Sequence, residues 1–560
     1  MVQHLRVHPG LARRQRGNGA ANAGDLVPDH PVPAQPYRRR APAHARGGAP
    51  GRGSPSGRRD AQGRVVQHRG LRAVPGCVGS LLRRRFAHQH GPVHRAFAQE
   101  RGGGRDRGGR LGLAGLRGRE GLVPETHGQT GPGQLDHETA VGQPGESRPR
   151  LRSGACSAHR AAQRREKQVT DISGRVATGF EPVVEAFEEN FAVRGEVGAE
   201  FCAYVGGEPV VDIWAGTAAP GRPWLEDTLV PVFSVTKGPA ALVAQMLVDR
   251  GLMDLDTPVC EYWPEFAARG KGNARVRQVL GHTLGLPSFP DYWNLVSFDA
   301  AAGWHRYGEI SSRLAAAPLA WEPGTRVGYH SITYGWLVAE LVRRIDGRTL
   351  GAFFAEEVAA PLGLDFWIGL PAEHHDRVAR LRHDPDPAFD LVEALGGPEK
   401  AAGAALFIGP ERRSPIDLAN DPDFWSAEMP AVNGVGAARS VARMYAMLAA
   451  GGELDGVRLV SEESVATHAV EQARGTDAIF GGETRVALGY GRSTPGGLSF
   501  GPNDEAFGMQ GIGGSVAYAD PVAEVGFGYA MNQTHMEVGT DRRPRALSAA
   551  LYRAIASQGG

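Results

Sequence analysis

Ser234 and Lys237 stand three residues apart within a short apolar approach, Val232-Phe233-Ser234-Val235-Thr236-Lys237-Gly238. A serine hydroxyl attacks an acyl carbon well only when a neighbouring base takes its proton, and a desolvated lysine amine is such a base. A spacing of three puts both side chains on one face of a helix. At a first helical turn, unpaired N–H groups and the positive end of the dipole favour developing negative charge. Lysine occurs only at 167, 237, 271 and 400, in a chain that otherwise carries its positive charge on arginine. Arginine does not give up its proton, so a lysine at 237 reads as chemistry rather than as a solvated charge. The pair alone is weak, because a chain of this size contains about one Ser-x-x-Lys by chance.

The elements that must hold these groups follow from periodicity. Ala241, Leu242, Val243, Met246 and Leu247 continue a helix from Lys237 towards Gly251. Upstream, Phe180, Val183, Val184, Phe187 and Phe191 predict an amphipathic helix with Pro182 in its first turn. Glu200–Val205 and Pro209–Trp214 read as a hairpin turning at Gly206-Gly207. A helix-rich block includes Trp336–Ile345, and Ser440 is expected to cap a helix over Val441–Ala449. Three strands, Ala506–Gln510, Ser515–Ala519 and Gly526–Met531, precede a last helix over Arg545–Ala556. Residues 374–430, rich in Pro, Asp and Gly, are expected to form a lid-like insertion, with Phe424 and Trp425 either lining an acyl pocket or anchoring the segment at the surface. The order of elements predicts an α/β sandwich, an antiparallel sheet flanked by helices with an inserted helical domain.

Composition divides the chain of 560 residues in two. Residues 1–170 carry 31 Lys and Arg against 11 Asp and Glu, whereas the rest carries 31 against 50. The first part is rich in Arg, Gly and Pro and too poor in apolar residues to offset its chain entropy. It is expected to be disordered, or a translation artefact of GC-rich codons with the true start on a valine codon near Val169. Residues 171–560 form the catalytic domain. Cys77, Cys156, Cys202 and Cys260 have neither the density of a disulfide framework nor CxxC spacing. His374-His375 lacks metal-ligand spacing, and Gly511-Ile512-Gly513-Gly514 lacks the strand-to-helix setting of a nucleotide fingerprint. No cofactor, metal, specific nucleic acid or membrane partner is called for, and a cytoplasmic location is the default expectation.

Four stretches, VFSVTKG at 232–238, VLGHTLGLP at 279–287, PGTRVGYHSITYG at 323–335 and FGMQGIGGS at 507–515, resemble in order and spacing the serine β-lactamase-like superfamily. The likeness is greatest to family VIII carboxylesterases and class C β-lactamases, and it implies the fold of that group, related to penicillin-binding proteins. It further implies Ser234 as the acylated nucleophile, Lys237 as its amine partner, and Tyr329 as a phenolic base and later acid. A phenolate beside an ammonium would be favoured by opposite charge. The oxyanion would be held by backbone N–H groups of Ser234 and Ile512. Ser331 replaces the Asn of the family's Tyr-x-Asn box, and Met509-Gln510-Gly511 replaces its Lys-Thr-Gly. Methionine cannot hold a carboxylate. The expected substrate is therefore a small neutral carboxylic ester, with Gly511, Gln510 and Ser331 beside it, and a β-lactamase, D-amino-acid peptidase, acyltransferase or silent binding protein as alternatives. His282 and His330 border this site as structural residues.

Overall fold

The computed structural model describes residues 72–74, 171–297, 301–386, 390–537 and 539–558. In chain order the elements that build the site's frame are β1 (Ser173–Ala177), α1 (Glu181–Val193), β2 (Gly198–Val205), β3 (Glu208–Ala219), α2 (Lys237–Asp249), α3 (Thr333–Asp346) and α4 (Ala438–Ala449). They continue with β4 (Ala473–Thr476), β5 (Glu483–Val486), β6 (Gly491–Arg492), β7 (Phe507–Gln510), β8 (Val516–Asp520), β9 (Val525–Met531) and α5 (Arg542–Gln558). Over these nine strands the sheet runs β1-β3-β2-β9-β8-β7-β6-β5-β4, each neighbouring pair antiparallel. The basic segment assigned to 1–170 lies outside the described residues, apart from Arg72–Val74, which pairs in parallel with β1.

Alternation along the strands sorts the two faces of the sheet. Phe201, Ala203, Phe527 and Tyr529 point to the face covered by α1 and α5, where they pack with Phe180, Phe187, Leu547 and Leu551. Each large side chain buried there contributes about 1.5–3 kcal/mol. The intervening positions, Cys202, Tyr204 and Ala530, face α2, α3, α4 and the helical middle of the chain. On that face β9 carries Gly526 and Gly528, because a Cβ at either would lie 2.4 Å from Ala446 N or 2.3 Å from Ala438 O of α4. The helix lies directly on the strand, and glycine is what permits it.

Helix α4 begins at Ala438 and its cap differs from the expectation. Glu200 of β2 accepts the backbone N–H groups of Ala438 at 2.9 Å and Arg439 at 3.1 Å. Ser440, expected as the cap, lies inside the helix and accepts the Asp365 N–H at 2.9 Å. A distant carboxylate satisfies two orphan donors where a local hydroxyl would satisfy one. Segment 374–430 holds four short helices, Leu391–Leu395, Ala401–Ala405, Pro415–Leu418 and Pro422–Ser426. Phe424 is fully buried, 5.4 Å from the Trp304 ring and 6.5 Å from that of Phe233, so it is neither a pocket wall nor a surface anchor. Trp425 is buried too, its indole N–H donating to Ala419 O at 2.7 Å. The terminal helix α5 starts at Arg542, three residues before the expected Arg545. Among the described residues, no helix is long and apolar enough to cross a membrane.

Candidate active site

Ser234 opens a single 3-10 turn, Ser234–Thr236, that runs straight into α2. The preceding Phe233 has φ 47° and ψ −129°, a backbone state that a bulky residue adopts only when its surroundings impose it. The imposing contacts are on both sides. Val232 N–H donates to Gly434 O at 3.0 Å, Gly434 N–H donates to Thr236 Oγ1 at 2.8 Å, and the Ser515 hydroxyl donates to Val232 O at 3.0 Å. The turn after β7 presses against the same approach, where a Cβ on Gly511 would lie 2.2 Å from Val232 O. Gly511 is therefore required to seat the β7–β8 turn beside the serine. In that turn Gly511 N–H donates to Ser515 O at 2.8 Å, while the next N–H, that of Ile512, has no acceptor among the described residues.

Lys237 lies beneath Ser234 and is fully buried. Its Nζ is 3.2 Å from Ser234 Oγ, 2.7 Å from Ser331 O and 2.9 Å from Ala431 O. Carbonyl oxygens only accept, so two amine N–H groups are committed to them and the third position faces the serine hydroxyl. Burial, with no carboxylate partner, holds the lysine well below its usual 10.5. A neutral amine in this setting turns its lone pair to Ser234 Oγ–H. Tyr329 closes the other side, its ring centroid 4.7 Å from Lys237 Nζ. Burial raises its phenol well above 10, the Ser234 hydroxyl beside it pulling the other way and the Asp477 carboxylate adding to the rise. Burial thus pushes each group towards its neutral form, the opposite direction from an ammonium–phenolate pair.

The two histidines are fixed as structural groups. His282 Nδ1 accepts the His330 backbone N–H at 3.1 Å, His330 Nε2 accepts that of Leu286 at 2.9 Å, and His330 Nδ1 faces Gly328 O at 2.7 Å. Burial lowers both, His330 to about 4 and His282 well below 6.5. His282 lies between Tyr329 and Tyr334, with ring centroids 4.9 and 5.0 Å away.

These groups open into a cavity of about 510 Å³ whose wall includes Ser234, Tyr329, Phe480, Met509, Gln510 and Ile512. Gln510 donates from Nε2 to Gly539 O at 2.7 Å. Ser331 is not on this wall: it is buried, its carbonyl holds Lys237, and its hydroxyl has no hydrogen-bond partner among the described residues. One arginine reaches the wall, Arg485, and it is spent on Glu471, Asp504 and Ser493 O. His535, Glu537 and Asp541 bring possible ligand atoms within 4.8 Å of one another. Both carboxylates are committed to arginines, Asp541 to Arg543 at 2.7 Å and Glu537 to Arg542 at 2.9 Å, so the cluster is an ion-pair network and not a cation cage.

Sequence reasoning missed two contributors. Ala431 acts through its carbonyl, which no side-chain pattern reveals. Asp477, in the β4–β5 turn, accepts the Tyr329 backbone N–H at 2.9 Å across 148 residues. An Asp shortly before Gly481-Gly482 signals a turn but gives no hint of what the turn grips.

A sequence-family profile described as Beta-lactamase matches residues 184–551. The chain is 35% identical over 375 residues to "Esterase/beta-lactamase LipL" of Mycobacterium tuberculosis, covering 65% of this chain and 83% of that protein. The crystal structure of a family VIII carboxylesterase superposes with a TM-score of 0.62 at 36% identity, over 68% of this chain and 99% of the other. A penicillin-binding protein homologue from Caulobacter crescentus superposes with a TM-score of 0.61 at 37% identity, over 69% of this chain and 100% of its own.

Proposed function

The chain belongs to the Beta-lactamase family, and on that premise we propose that it is a serine hydrolase cleaving neutral carboxylic esters through an acyl-enzyme on Ser234. The observation that carries the assignment is the commitment of two Lys237 N–H groups to Ser331 O and Ala431 O, which leaves the amine one direction, towards Ser234 Oγ. Ser234 Oγ bonds to the acyl carbon as its proton passes to Lys237, and the carbonyl electron pair moves to oxygen. The N–H groups of Ser234 and Ile512 stabilise that oxyanion. Collapse breaks the bond to the alcohol oxygen, which takes the Tyr329 proton; the Lys237 ammonium restores it. Water then adds to the acyl carbon, losing its proton to the same pair, and Ser234 departs with a proton as the acid is released. No prosthetic group enters these steps.

The substrate class follows from charge. On the cavity wall Glu483, Glu537 and Asp541 are paired with arginines, Asp477 has no basic partner in the described contacts, the wall's own Arg485 is saturated, and Met509 stands where the family's carboxylate-binding lysine would be. A penicillin or a D-Ala-D-Ala end would bring a carboxylate with no cation to meet it. A cytoplasmic location remains part of this proposal, tested by cell fractionation.

Turnover of p-nitrophenyl acyl esters alongside a chromogenic cephalosporin tests the reading. Ester cleavage is expected, with slow or no cephalosporin opening; rapid cephalosporin opening without ester cleavage would overturn it. Ser234→Ala should lose ester turnover by about 10³-fold or more, with residual rate from oxyanion stabilisation alone.

A further inference from the structure

Asp477 is bound to the tyrosine box more closely than a turn residue needs to be. Its Oδ2 accepts the Tyr329 N–H at 2.9 Å, and its Oδ1 accepts the N–H groups of Ile479 at 2.8 Å and Phe480 at 3.0 Å. A second strap runs alongside, Ala478 N–H donating to Val327 O at 3.0 Å. The turn itself is closed by Asp477 N–H to Gly482 O at 2.9 Å and Gly481 N–H to Asp477 O at 3.0 Å. Asp477 is 7% exposed and no arginine, lysine or histidine pairs with its carboxylate in the ion-pair or hydrogen-bond contacts of the described residues. Its turn places the Phe480 ring 6.2 Å from that of Tyr329, against the cavity.

We propose that Asp477 is a positioning residue for the Tyr329 proton, gripping the tyrosine backbone with a carboxylate that no basic side chain pairs with in the described contacts. The inference rests on the role given to Tyr329 above. Among titratable groups, Tyr329 faces Lys237 from α2, His282 from the 279–287 loop, Tyr334 from α3 and Asp477 from the β4–β5 turn. Burial lowers both the lysine and the histidine, and the Asp477 carboxylate is the acidic group held on the tyrosine itself, through its backbone N–H. A nearby anion opposes phenolate formation, and Asp477 contributes to the upward shift at Tyr329. A phenol kept protonated is a proton donor, which the departing alcohol requires. Asp477 thus divides the labour: Lys237 takes the serine proton and Tyr329 gives one to the leaving oxygen.

Leaving-group dependence isolates this role. p-Nitrophenolate departs without a proton, whereas ethoxide does not, so a misplaced or ionised Tyr329 penalises ethyl esters selectively. A merely structural lesion lowers both alike. The experiment measures kcat/KM for p-nitrophenyl butyrate and ethyl butyrate with Asp477→Asn, Asp477→Ala and Tyr329→Phe, normalised to sites titrated by a fluorophosphonate. For Asp477→Ala we expect a loss of about 100-fold on the ethyl ester and under about 5-fold on the aryl ester, general acid catalysis being worth about 10²–10⁴. Asp477→Asn, which keeps one acceptor oxygen but no charge, should fall between. Equal losses on both esters, or no loss on either, overturn the inference. If Tyr329→Phe itself shows no selectivity, the role of Tyr329 falls first; if it is selective and the Asp477 variants are not, only the Asp477 role falls.

Discussion

In the proposed mechanism Ser234, Lys237 and Tyr329 pass a proton among themselves at the floor of the cavity, with Lys237 fully buried, and that sets how their chemistry should respond to pH. Lys237 must be neutral to act, and burial lowers its pKa, so the rate should rise with pH through that lowered value and then hold. Tyr329 must keep its proton, and its pKa is raised, so no falling limb should follow below pH ~10, the ordinary tyrosine value. A profile of kcat/KM from acid to pH ~10 should show one ascending limb and a plateau; a bell falling on its alkaline side would contradict the assignment. Lys237→Arg should be as inactive as Lys237→Ala, a loss of about 10²–10⁴, because guanidinium cannot become neutral. These three residues were legible in the sequence because their side chains carry the chemistry. Ala431 and Asp477 were not, since one acts through a carbonyl common to every residue and the other through a hydrogen bond spanning 148 positions.

At the level of elements, the join between β2 and α4 carries the most specific consequence. Glu200 holds two N–H groups of α4 and pairs with Arg439 at 3.0 Å. Glu200→Ala removes the cap and leaves part of a buried cation uncompensated, which should cost about 2–4 kcal/mol in a urea titration. Burial outweighs these partners and raises Glu200 to about 7 from 4.5. The folded protein therefore binds more protons than the unfolded chain between those values, and the Glu200 contribution declines as pH climbs through that window. The destabilisation by Glu200→Ala should accordingly be larger at pH ~5 than at pH ~8; equal values at the two pH values would refute the shift. The hairpin, α1, α2 and the last three strands were all readable, because a repeat of two or 3.6 persists along them. The cap was misread at Ser440 because local capping logic cannot anticipate a carboxylate from a strand more than 200 residues away. The four helices in 374–430 were missed because four or five residues are too few to display a period.

The whole chain joins a strongly basic stretch to a net acidic one. Among the described residues the buried cores start at Val176, with Ile172 packed against them, and every group of the candidate site lies at or beyond Ser234. Upstream, the described contact is the pairing of Arg72–Val74 with β1 at the sheet edge. Removing a three-residue partner uncovers the edge of β1, which is only five residues long and carries Ser173 and Arg175. A short edge with a charged residue resists pairing with another chain. A protein beginning at Val169 should therefore match the full chain in kcat/KM and melting temperature and remain monodisperse at the same concentration. A truncated chain that melts markedly lower, or aggregates while the full chain does not, would instead make residues before Val169 part of the folded enzyme. Mass spectrometry of the native N-terminus is the independent check: peptides from residues 1–160 at full abundance would establish the basic stretch as part of the mature protein, and their absence would leave the enzyme as the acidic domain alone.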